Sequence, residues 1–241
     1  MEREVKLQYR VVDVVRETPT ILTLILENSE GDLPSYIAGQ YITIYFPDLS
    51  AFQGKAYTIS SVPSSEHISI SVKMIGQFSN RLCAMKAGDM ITGSLPYGYF
   101  YSESFDAPLV MIAGGIGIAP FRSMIIEAVT KGSSRKILLF YSIRTLEDAA
   151  FKRELDDLET SHEELSIRYF VTREQINISS VTQARITAKE IVDTVLAAAL
   201  NIQTTEFFIC GSILFARDLW RGLRANGVPE EMICTEAFFS H

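Results

Sequence analysis

The first hundred residues alternate short apolar stretches with turn residues. The stretches are rich in Val, Ile, Thr, Tyr and Phe, and are separated by Gly, Pro, Asn, Asp and Ser, a pattern typical of strands joined by turns. Six strands are predicted, at residues 6–15, 21–27, 40–45, 56–62, 68–74 and 90–95. A helix is predicted at 79–85, with Ser79 as its N-cap and Gly88 beyond its end. Six short strands favour a small closed antiparallel barrel.

From Pro108 onward, compact apolar stretches alternate with longer helical segments. Strands are predicted at 109–113, 136–142, 167–172, 207–210 and 232–235, and helices near 119–131, 146–158, 187–200 and 212–226. This alternation is typical of a parallel sheet covered by helices on both faces. Two domains are therefore predicted: an N-terminal six-stranded antiparallel β-barrel at 1–104, followed by a C-terminal α/β domain with a parallel sheet at 105–241.

The composition excludes several classes of protein. With 22 Lys and Arg against 29 Asp and Glu, the net charge is −7, which argues against a nucleic-acid or anionic-membrane partner. Cys83, Cys210 and Cys234 do not have the number or spacing of a disulfide framework or a four-thiolate metal site. No stretch reaches the roughly 20 apolar residues of a membrane span, and the charged residues 1–10 are unlike a signal peptide. A cytoplasmic protein with reduced thiols is expected.

The stretch LVMIAGGIGIAPFRSMI (109–125) carries the most informative signal. A predicted strand runs into Gly114, Gly115 and Gly117, and Pro120 stands near the first turn of the next helix, where its missing N–H costs nothing. The backbone N–H groups at such a turn suit a pyrophosphate. A glycine turn that serves chain packing alone is the alternative.

The residues around this turn distinguish it from other nucleotide motifs. The dinucleotide fingerprint of a doubly wound sheet has Gly where Pro120 stands and an acidic residue about 20 positions further on. Here the next predicted strand ends in Ser142, Ile143 and Arg144, and hydroxyl and guanidinium groups at that place could receive a 2′-phosphate. The chain has no GK[ST] triplet and no GxSxG sequence, so neither a P-loop nor a serine-hydrolase elbow is predicted.

The barrel half offers a second candidate site. In GKAYTISS (54–61), Lys55, Tyr57 and Thr58 supply a cation for phosphate, a ring for stacking and a hydroxyl for hydrogen bonding. The turn in MIGQFSNRL (74–82) opens the predicted helix and is another candidate anion site. Aromatic and β-branched residues in a strand also serve packing alone. Together the candidate sites suggest two cofactors that meet at an interface.

Seven stretches resemble, in the same order, the ferredoxin-NADP reductase superfamily of flavoproteins. They are KAYT (55–58) for its flavin motif, GQFS (76–79) for its flavin phosphate turn, PYGYF (96–100) for its barrel exit, GGIGIAP (114–120) for its pyridine-nucleotide loop, YSIRTLEDAAFKREL (141–155), VTREQ (171–175) and CGS (210–212). Each stretch is weak alone, and their joint order carries the resemblance. Lys55 stands where the family usually has Arg, and Ser212 where it has Pro.

The resemblance implies a flavin-binding barrel and a nicotinamide-nucleotide-binding α/β domain, with FAD and NADP or NAD as cofactors. Tyr57 would stack on the isoalloxazine, Thr58 would hydrogen-bond the flavin near N5, and Cys210 would border the nicotinamide as a small positioning residue. These three are the implied catalytic residues. The other implied cofactor-binding residues are Lys55, Ala56, Val72, Met74, Gly76, Gln77, Phe78, Ser79, Gly114, Gly115, Ile116, Gly117, Pro120, Ser142, Arg144, Arg173, Arg185, Gly211, Phe238 and Phe239.

The function predicted from this resemblance is that of a flavin-dependent NAD(P)H oxidoreductase. It would pass hydride from nicotinamide to FAD and then electrons to a separate acceptor, a ferredoxin-like protein or an oxygenase component. Because an iron–sulfur cluster needs about four thiolates, any such centre would lie on another chain. The alternative is a non-catalytic subunit that keeps the fold and binds nucleotide, which Lys55 in place of Arg favours.

Two cofactor preferences are expected. NADPH is expected over NADH because Arg144 and Arg173 follow predicted strands and no acid ends the strand before Arg144. FAD is expected over FMN because the turn at 76–79 offers room for a pyrophosphate. No metal site is predicted, since His67, His162 and His241 form no ligand pattern.

Overall fold

The structure is a computed structural model that describes residues 5–49, 54–176, 178 and 181–238. Six antiparallel strands form its first sheet: β1 (Lys6–Thr18), β2 (Ile21–Asn28), β3 (Tyr41–Tyr45), β4 (Lys55–Thr58), β5 (Ile68–Lys73) and β6 (Met90–Ser94). Their order is β4-β3-β6-β1-β2-β5. The sheet closes on itself where Ile59 bridges Ile70 and the Ser60 N–H donates to the Ser69 carbonyl at 2.8 Å. The predicted barrel is confirmed.

The helix of the barrel half begins earlier than predicted. α1 spans Gln77–Cys83, and its N-cap is Gly76 in an extended conformation, not Ser79. Ser79 is the third residue of the helix, and its Oγ accepts hydrogen bonds from the N–H groups of Ile75 at 3.0 Å and Gly76 at 3.1 Å. The predicted N-cap was wrong because a serine at the third position can satisfy the same turn by reaching back to it.

The second sheet is entirely parallel, as predicted. Its strands are β7 (Leu109–Gly114), β8 (Ile137–Ile143), β9 (Leu165–Val171), β10 (Val181–Thr182), β11 (Glu206–Ser212) and β12 (Ile233–Phe238), in the order β10-β9-β8-β7-β11-β12. Its helices are α2 (Ile118–Thr130), α3 (Lys152–Ser161), α4 (Ala188–Ala197) and α5 (Ile213–Ala225). Alternate residues of β7 enter opposite cores: Met111 packs in the core that contains Phe121 of α2, and Ile112 in the core that contains Leu219 of α5.

One predicted helix is divided in two. The segment 146–158 begins with a short 3₁₀ turn, Leu146–Asp148, and α3 starts only at Lys152. Phe151 separates them with a left-handed backbone at φ 62°, which an α-helix does not accommodate. The two-residue strand β10 was not predicted, because so short a stretch carries no alternating pattern.

Two α2 side chains fasten the second sheet to the barrel. Arg122 Nη1 donates to the Ser60 carbonyl at 2.7 Å, and Ser123 Oγ donates to the Ser61 carbonyl at 2.5 Å. The connecting segment between Ser94 and Leu109 contains the predicted domain boundary at 104, which stays a prediction. Phe239 and His241 lie outside the described residues. Among the described helices, none combines the length and apolar character needed to cross a bilayer.

Candidate functional site

A cavity of about 670 Å³ lies at the carboxyl ends of the parallel strands. The strand order reverses at β7, with β8 on one side and β11 on the other, and ligands of open α/β sheets bind at such reversals. The barrel supplies Ile21 and Lys73 to the wall. The cavity also brings together a set of residues predicted from the sequence: Gly114, Gly115, Ser142, Arg144, Arg173 and Arg185.

The turn after β7 contains three glycines, and the structural reason for glycine differs from one position to the next. A methyl group on Gly117 would lie 2.1 Å from the Cys210 carbonyl oxygen, so this glycine lets the turn pack on β11. A methyl group on Gly114 would meet the Phe215 ring at 3.0 Å. Gly115 has a left-handed φ of 56°, and the nearest atom to a methyl group there is Lys73 Nζ at 3.9 Å. Of these three, Gly115 is the one beside open space and a cation.

Four cations surround the cavity, namely Lys73, Arg144, Arg173 and Arg185. Within the described part of the chain, none of them has a carboxylate partner within salt-bridge distance. Burial lowers the pKa of Lys73 and the nearby Arg144 lowers it further, whereas Asp148, which lines the cavity together with Asp218, opposes the shift. An anion in the cavity would relieve that repulsion.

Lys73 was not among the predicted site residues, although its neighbours Val72 and Met74 were. Val72 is buried in the barrel, and Met74 follows β5 with its N–H bonded to the Thr20 carbonyl at 2.9 Å. The sequence places Lys73 on a strand but does not show that the strand faces the second sheet.

The motif of the barrel half lies on β4. Lys55 and Ala56 are exposed, and Lys55 Nζ lies 5.6 Å from the centroid of the Phe78 ring. The rings of Tyr57 and Phe78 are stacked, with their centroids 6.2 Å apart and an interplanar angle of 22°. Burial raises the pKa of the Tyr57 hydroxyl. Thr58 is 4% exposed, and its Oγ1 finds no hydrogen-bond partner among the described residues. A buried hydroxyl without a partner is costly, so Thr58 fits a polar ligand atom.

The predicted phosphate turn at 76–79 is open on one side. No atom lies within 4 Å of a methyl group placed on Gly76, and Gln77 is exposed. Phe78 is buried in the barrel core. Since Ser79 Oγ already bonds two N–H groups of the turn, its predicted contact with phosphate stays a prediction.

The end of β11 holds a buried thiol beside a buried carboxyl. Cys210 is fully buried and pairs in register with Glu236 of β12. Burial raises the Cys210 pKa well above its usual value, and Glu236 adds to the shift. Burial also raises the Glu236 pKa from 4.5 to about 7, and its Oε2 has no hydrogen-bond partner in the described chain.

The sequence does not single out Glu236, whereas Phe238 of the same terminal stretch, EAFF (236–239), is among the implied cofactor-binding residues. Phe238 of that stretch is half-buried against the core. At the same end of the sheet, Ser212 caps α5 by accepting a hydrogen bond from the Phe215 N–H at 3.4 Å. A methyl group on Gly211 would meet the Phe215 ring at 2.7 Å.

Two family models match the two sheets separately. A model described as an FAD-binding domain matches residues 7–93, and one described as an oxidoreductase NAD-binding domain matches residues 111–220. The solved structure of a ferredoxin NADP+ reductase from Neisseria gonorrhoeae with bound FAD and NADP is 24% identical, with a TM-score of 0.81 over 97% of this chain and 99% of that chain. The chain is therefore a flavoprotein oxidoreductase with an FAD-binding and an NAD-binding domain, and it has the fold of a ferredoxin NADP+ reductase.

The chain spans about three fifths of the length of the curated relatives that it matches. Flavohemoprotein A of Dictyostelium discoideum is 29% identical over 93% of this chain, which spans 58% of that relative. The FAD/NAD-binding domain of a nitric oxide dioxygenase from Vibrio cholerae, 23% identical, has a TM-score of 0.85 over 98% of this chain and 99% of that chain. At these identities, the structural likeness shows the fold of the flavoprotein.

The two matching domain models describe binding of FAD and of a nicotinamide dinucleotide, and the residues present fit both cofactors. The barrel offers the Tyr57 ring and the unpartnered Thr58 hydroxyl to a flavin. The cavity beside Gly115 offers Lys73 and the three arginines to phosphate groups. The role of each individual residue stays a prediction.

Thr58→Val is expected to change two properties of this flavoprotein in opposite directions. Because valine removes a buried hydroxyl that lacks a partner, the FAD-free chain should gain about 1 kcal/mol of unfolding free energy. FAD should bind about tenfold more weakly, because the flavin loses a hydrogen bond. Urea unfolding and fluorescence titration with FAD measure the two effects.

The matched control for this change is Thr23→Val in the same barrel. Thr23 is also buried, but its Oγ1 bonds Ser71 Oγ at 2.9 Å. Valine there should lower stability and leave FAD binding unchanged. The assignment of Thr58 fails if Thr58→Val behaves like Thr23→Val in both measurements.

Glu236 should make the stability of the FAD-free flavoprotein fall with rising pH. Between 4.5 and about 7 its carboxyl is protonated in the fold and ionised in the unfolded chain, so the unfolded state binds fewer protons and stability decreases across that window and levels off above it. Glu236→Gln should remove about 2 kcal/mol of the stability difference between pH 5 and pH 8. Urea unfolding at both pH values measures it, with Glu231→Gln, a change at an exposed carboxyl, as control. A pH difference unaltered by Glu236→Gln contradicts the shifted pKa.

Proposed function

We propose that this chain oxidises NADPH, in preference to NADH, and passes the electrons through FAD to a separate one-electron acceptor, a ferredoxin-like protein or an oxygenase component. NADPH becomes NADP+ by giving up two electrons and one proton. Two acceptor molecules take one electron each, and the proton goes to solvent. FAD, when bound, supplies the ability to accept two electrons together and release them singly.

The observation that carries the proposal is a cation-lined cavity shared by both sheets. Lys73 comes from the barrel and lies beside Gly115 of the turn after β7, so one anionic ligand could contact both halves of the chain. Arg144 and Arg173 follow neighbouring parallel strands, and the Arg173 N–H donates to the Arg144 carbonyl at 2.8 Å. Two arginines whose backbones are bonded to each other and which both line the cavity suit a 2′-phosphate.

The remaining residues of the proposed site would position the flavin and nicotinamide rings and shield them from water. The Tyr57 ring would cover one face of the flavin, and the Thr58 hydroxyl would hold its polar edge. Cys210 would border the nicotinamide as a neutral thiol, because burial holds its pKa well above the usual value. A neutral, small side chain leaves room for two rings in contact and keeps water out, which is the main requirement of such a transfer. Since all three cysteines are free thiols, a cytoplasmic setting is part of the proposal.

Reduction of ferricyanide tests the proposal. The chain loaded with FAD should oxidise one NADPH for every two ferricyanide ions reduced, and the FAD-free chain should be inactive. A loaded chain that binds NADPH without oxidising it would support the non-catalytic alternative instead. A chain that binds neither cofactor would exclude both.

A further inference from the structure

A second, smaller cavity lies beside β12, outside the site described above. It has a volume of about 250 Å³ and lies between the segment after the barrel and the beginning of β12. Aromatic and acidic side chains form much of its wall. These are Tyr99, Tyr101, Phe208, Glu103, Glu206 and Glu231. We call this cavity the acidic cleft.

The acidic cleft has an uncompensated negative charge. Glu206 is neutralised by Arg135, whose Nη2 lies 2.9 Å from Glu206 Oε2. Glu103 and Glu231 have no cationic partner in the described chain, and no described Lys or Arg lines the cleft. Two free carboxylates beside two phenol rings attract a cation by charge and by the faces of the rings.

The segment 95–105, which supplies Tyr99, Tyr101 and Glu103 to the acidic cleft, also carries exposed aromatic and apolar side chains, which we call the aromatic ridge. Tyr99 is 88% exposed and Phe105 is 79% exposed, and Leu95 and Tyr97 of the same segment are also exposed. Large aromatic side chains at an exposed surface are enriched in protein interfaces, where a polar rim surrounds them. The combination favours a protein partner over a small cation.

The position of the cleft connects it to electron transfer. Cys234 lines the cleft, and Glu236, which pairs with Cys210, follows two residues later on the same strand. Side chains two residues apart on a strand point to the same face and lie roughly 7 Å apart. β12 is the edge strand of its sheet. A protein docked over the cleft would therefore lie next to the proposed flavin and nicotinamide site.

We propose that the acidic cleft and its aromatic ridge dock the electron acceptor through a basic surface of that acceptor, with a Lys or Arg side chain entering between Glu103 and Glu231. The inference rests on the proposed function only for the identity of the partner as the acceptor. It selects, among one-electron carriers, those that present a basic face, and it disfavours an acidic ferredoxin.

Cytochrome c, a basic one-electron haem protein, is the probe. Its binding to the FAD-loaded chain is measured by calorimetric titration without NADPH, at an ionic strength of about 10 mM, where screening is weak. Glu103→Gln/Glu231→Gln should raise the Kd about tenfold. The control pair Glu66→Gln/Glu163→Gln removes the same charge at exposed positions without ion pairs and should leave Kd within about twofold.

Turnover distinguishes this proposal from the proposed function. With NADPH, kcat/KM for cytochrome c should fall about tenfold in the Glu103/Glu231 variant, while the rate with dichlorophenolindophenol, a small acceptor, stays unchanged. The docking proposal is overturned if the wild-type chain does not bind cytochrome c, if both variant pairs change Kd equally, or if an acidic ferredoxin binds more tightly. If the variants change Kd as expected but the wild-type chain reduces no acceptor with NADPH, the docking surface is upheld and the proposed function is refuted.

Discussion

Replacing Gly117 with alanine is expected to lower the free energy of unfolding by about 3 kcal/mol or more. The added methyl group would lie 2.1 Å from the Cys210 carbonyl oxygen and 2.9 Å from the Gly211 nitrogen. These are backbone atoms of β11, an interior strand of the second sheet, so the clash cannot be relieved by rotating a side chain. The turn after β7 would have to move away from β11, and cofactor binding would fall with it.

Urea unfolding of the Gly117→Ala chain measures this effect, with Gly132→Ala as the matched control. Gly132 has a left-handed φ of 64°, but nothing lies within 4 Å of its added methyl group. Alanine there should cost about 1 kcal/mol from backbone strain alone. If alanine lowers the free energy of unfolding equally at Gly117 and Gly132, the close approach of the turn to β11 is contradicted.

Removing both arginines of the cavity, in Arg144→Ala/Arg173→Ala, is expected to reduce kcat/KM for NADPH about 100-fold. Each guanidinium should contribute about 1.4 kcal/mol to holding the 2′-phosphate, which corresponds to a factor of ten. NADH has no such phosphate, so its kcat/KM should change less than about threefold. The ratio of the two values, measured with ferricyanide as acceptor, tests the preference.

Arg153→Ala is the control for this pair, because Arg153 is an arginine of α3 and does not line the cavity at Gly115. Arg153→Ala should leave kcat/KM for both NADPH and NADH unchanged. An unchanged NADPH to NADH ratio in the double variant, or a wild-type chain that uses NADH equally well, would refute the assignment of Arg144 and Arg173.

The sequence pattern predicted the architecture well because the two halves use different periodicities. Alternating residues in the barrel and compact apolar strands in the second half are local signals, and both sheets formed as predicted. The errors also have local causes. The sequence predicts Ser79 as an N-cap, but Ser79 caps the helix from its third position. The left-handed backbone at Phe151 divides a segment that has a continuous helical pattern.

The candidate site was predictable where chemistry coincides with a chain turn. The predicted residues lie in the last residues of parallel strands or just after them, and parallel strands bring such ends to one edge of the sheet; they are Gly114, Gly115, Ser142, Arg144 and Arg173. Lys73 and Glu236 were not predictable, because their importance depends on contacts between distant parts of the chain. Lys73 of the barrel lies beside Gly115 of the second sheet, and Glu236 of β12 pairs with Cys210 of the adjacent strand β11.

The glycines show a further limit of sequence reasoning. Gly114 and Gly211 were both assigned to the nicotinamide nucleotide, yet each approaches the Phe215 ring so closely that a methyl group would clash. Their lack of a side chain is explained by packing within the chain. Of Gly114, Gly115 and Gly211, Gly115 is the one that has a left-handed backbone and an open approach for a ligand, beside Lys73.

Anaerobic titration with NADPH measures whether FAD bound to this chain accepts electrons from the nicotinamide nucleotide. The chain is loaded with FAD, separated from free FAD, and titrated while the visible absorbance of the oxidised flavin is recorded. Bound FAD should be retained after the separation and bleached by about one equivalent of NADPH, because the proposed sites of the two nucleotides meet at the interface of the two sheets. The account is contradicted if the chain does not retain FAD, or if its bound FAD keeps its absorbance in excess NADPH and in excess NADH.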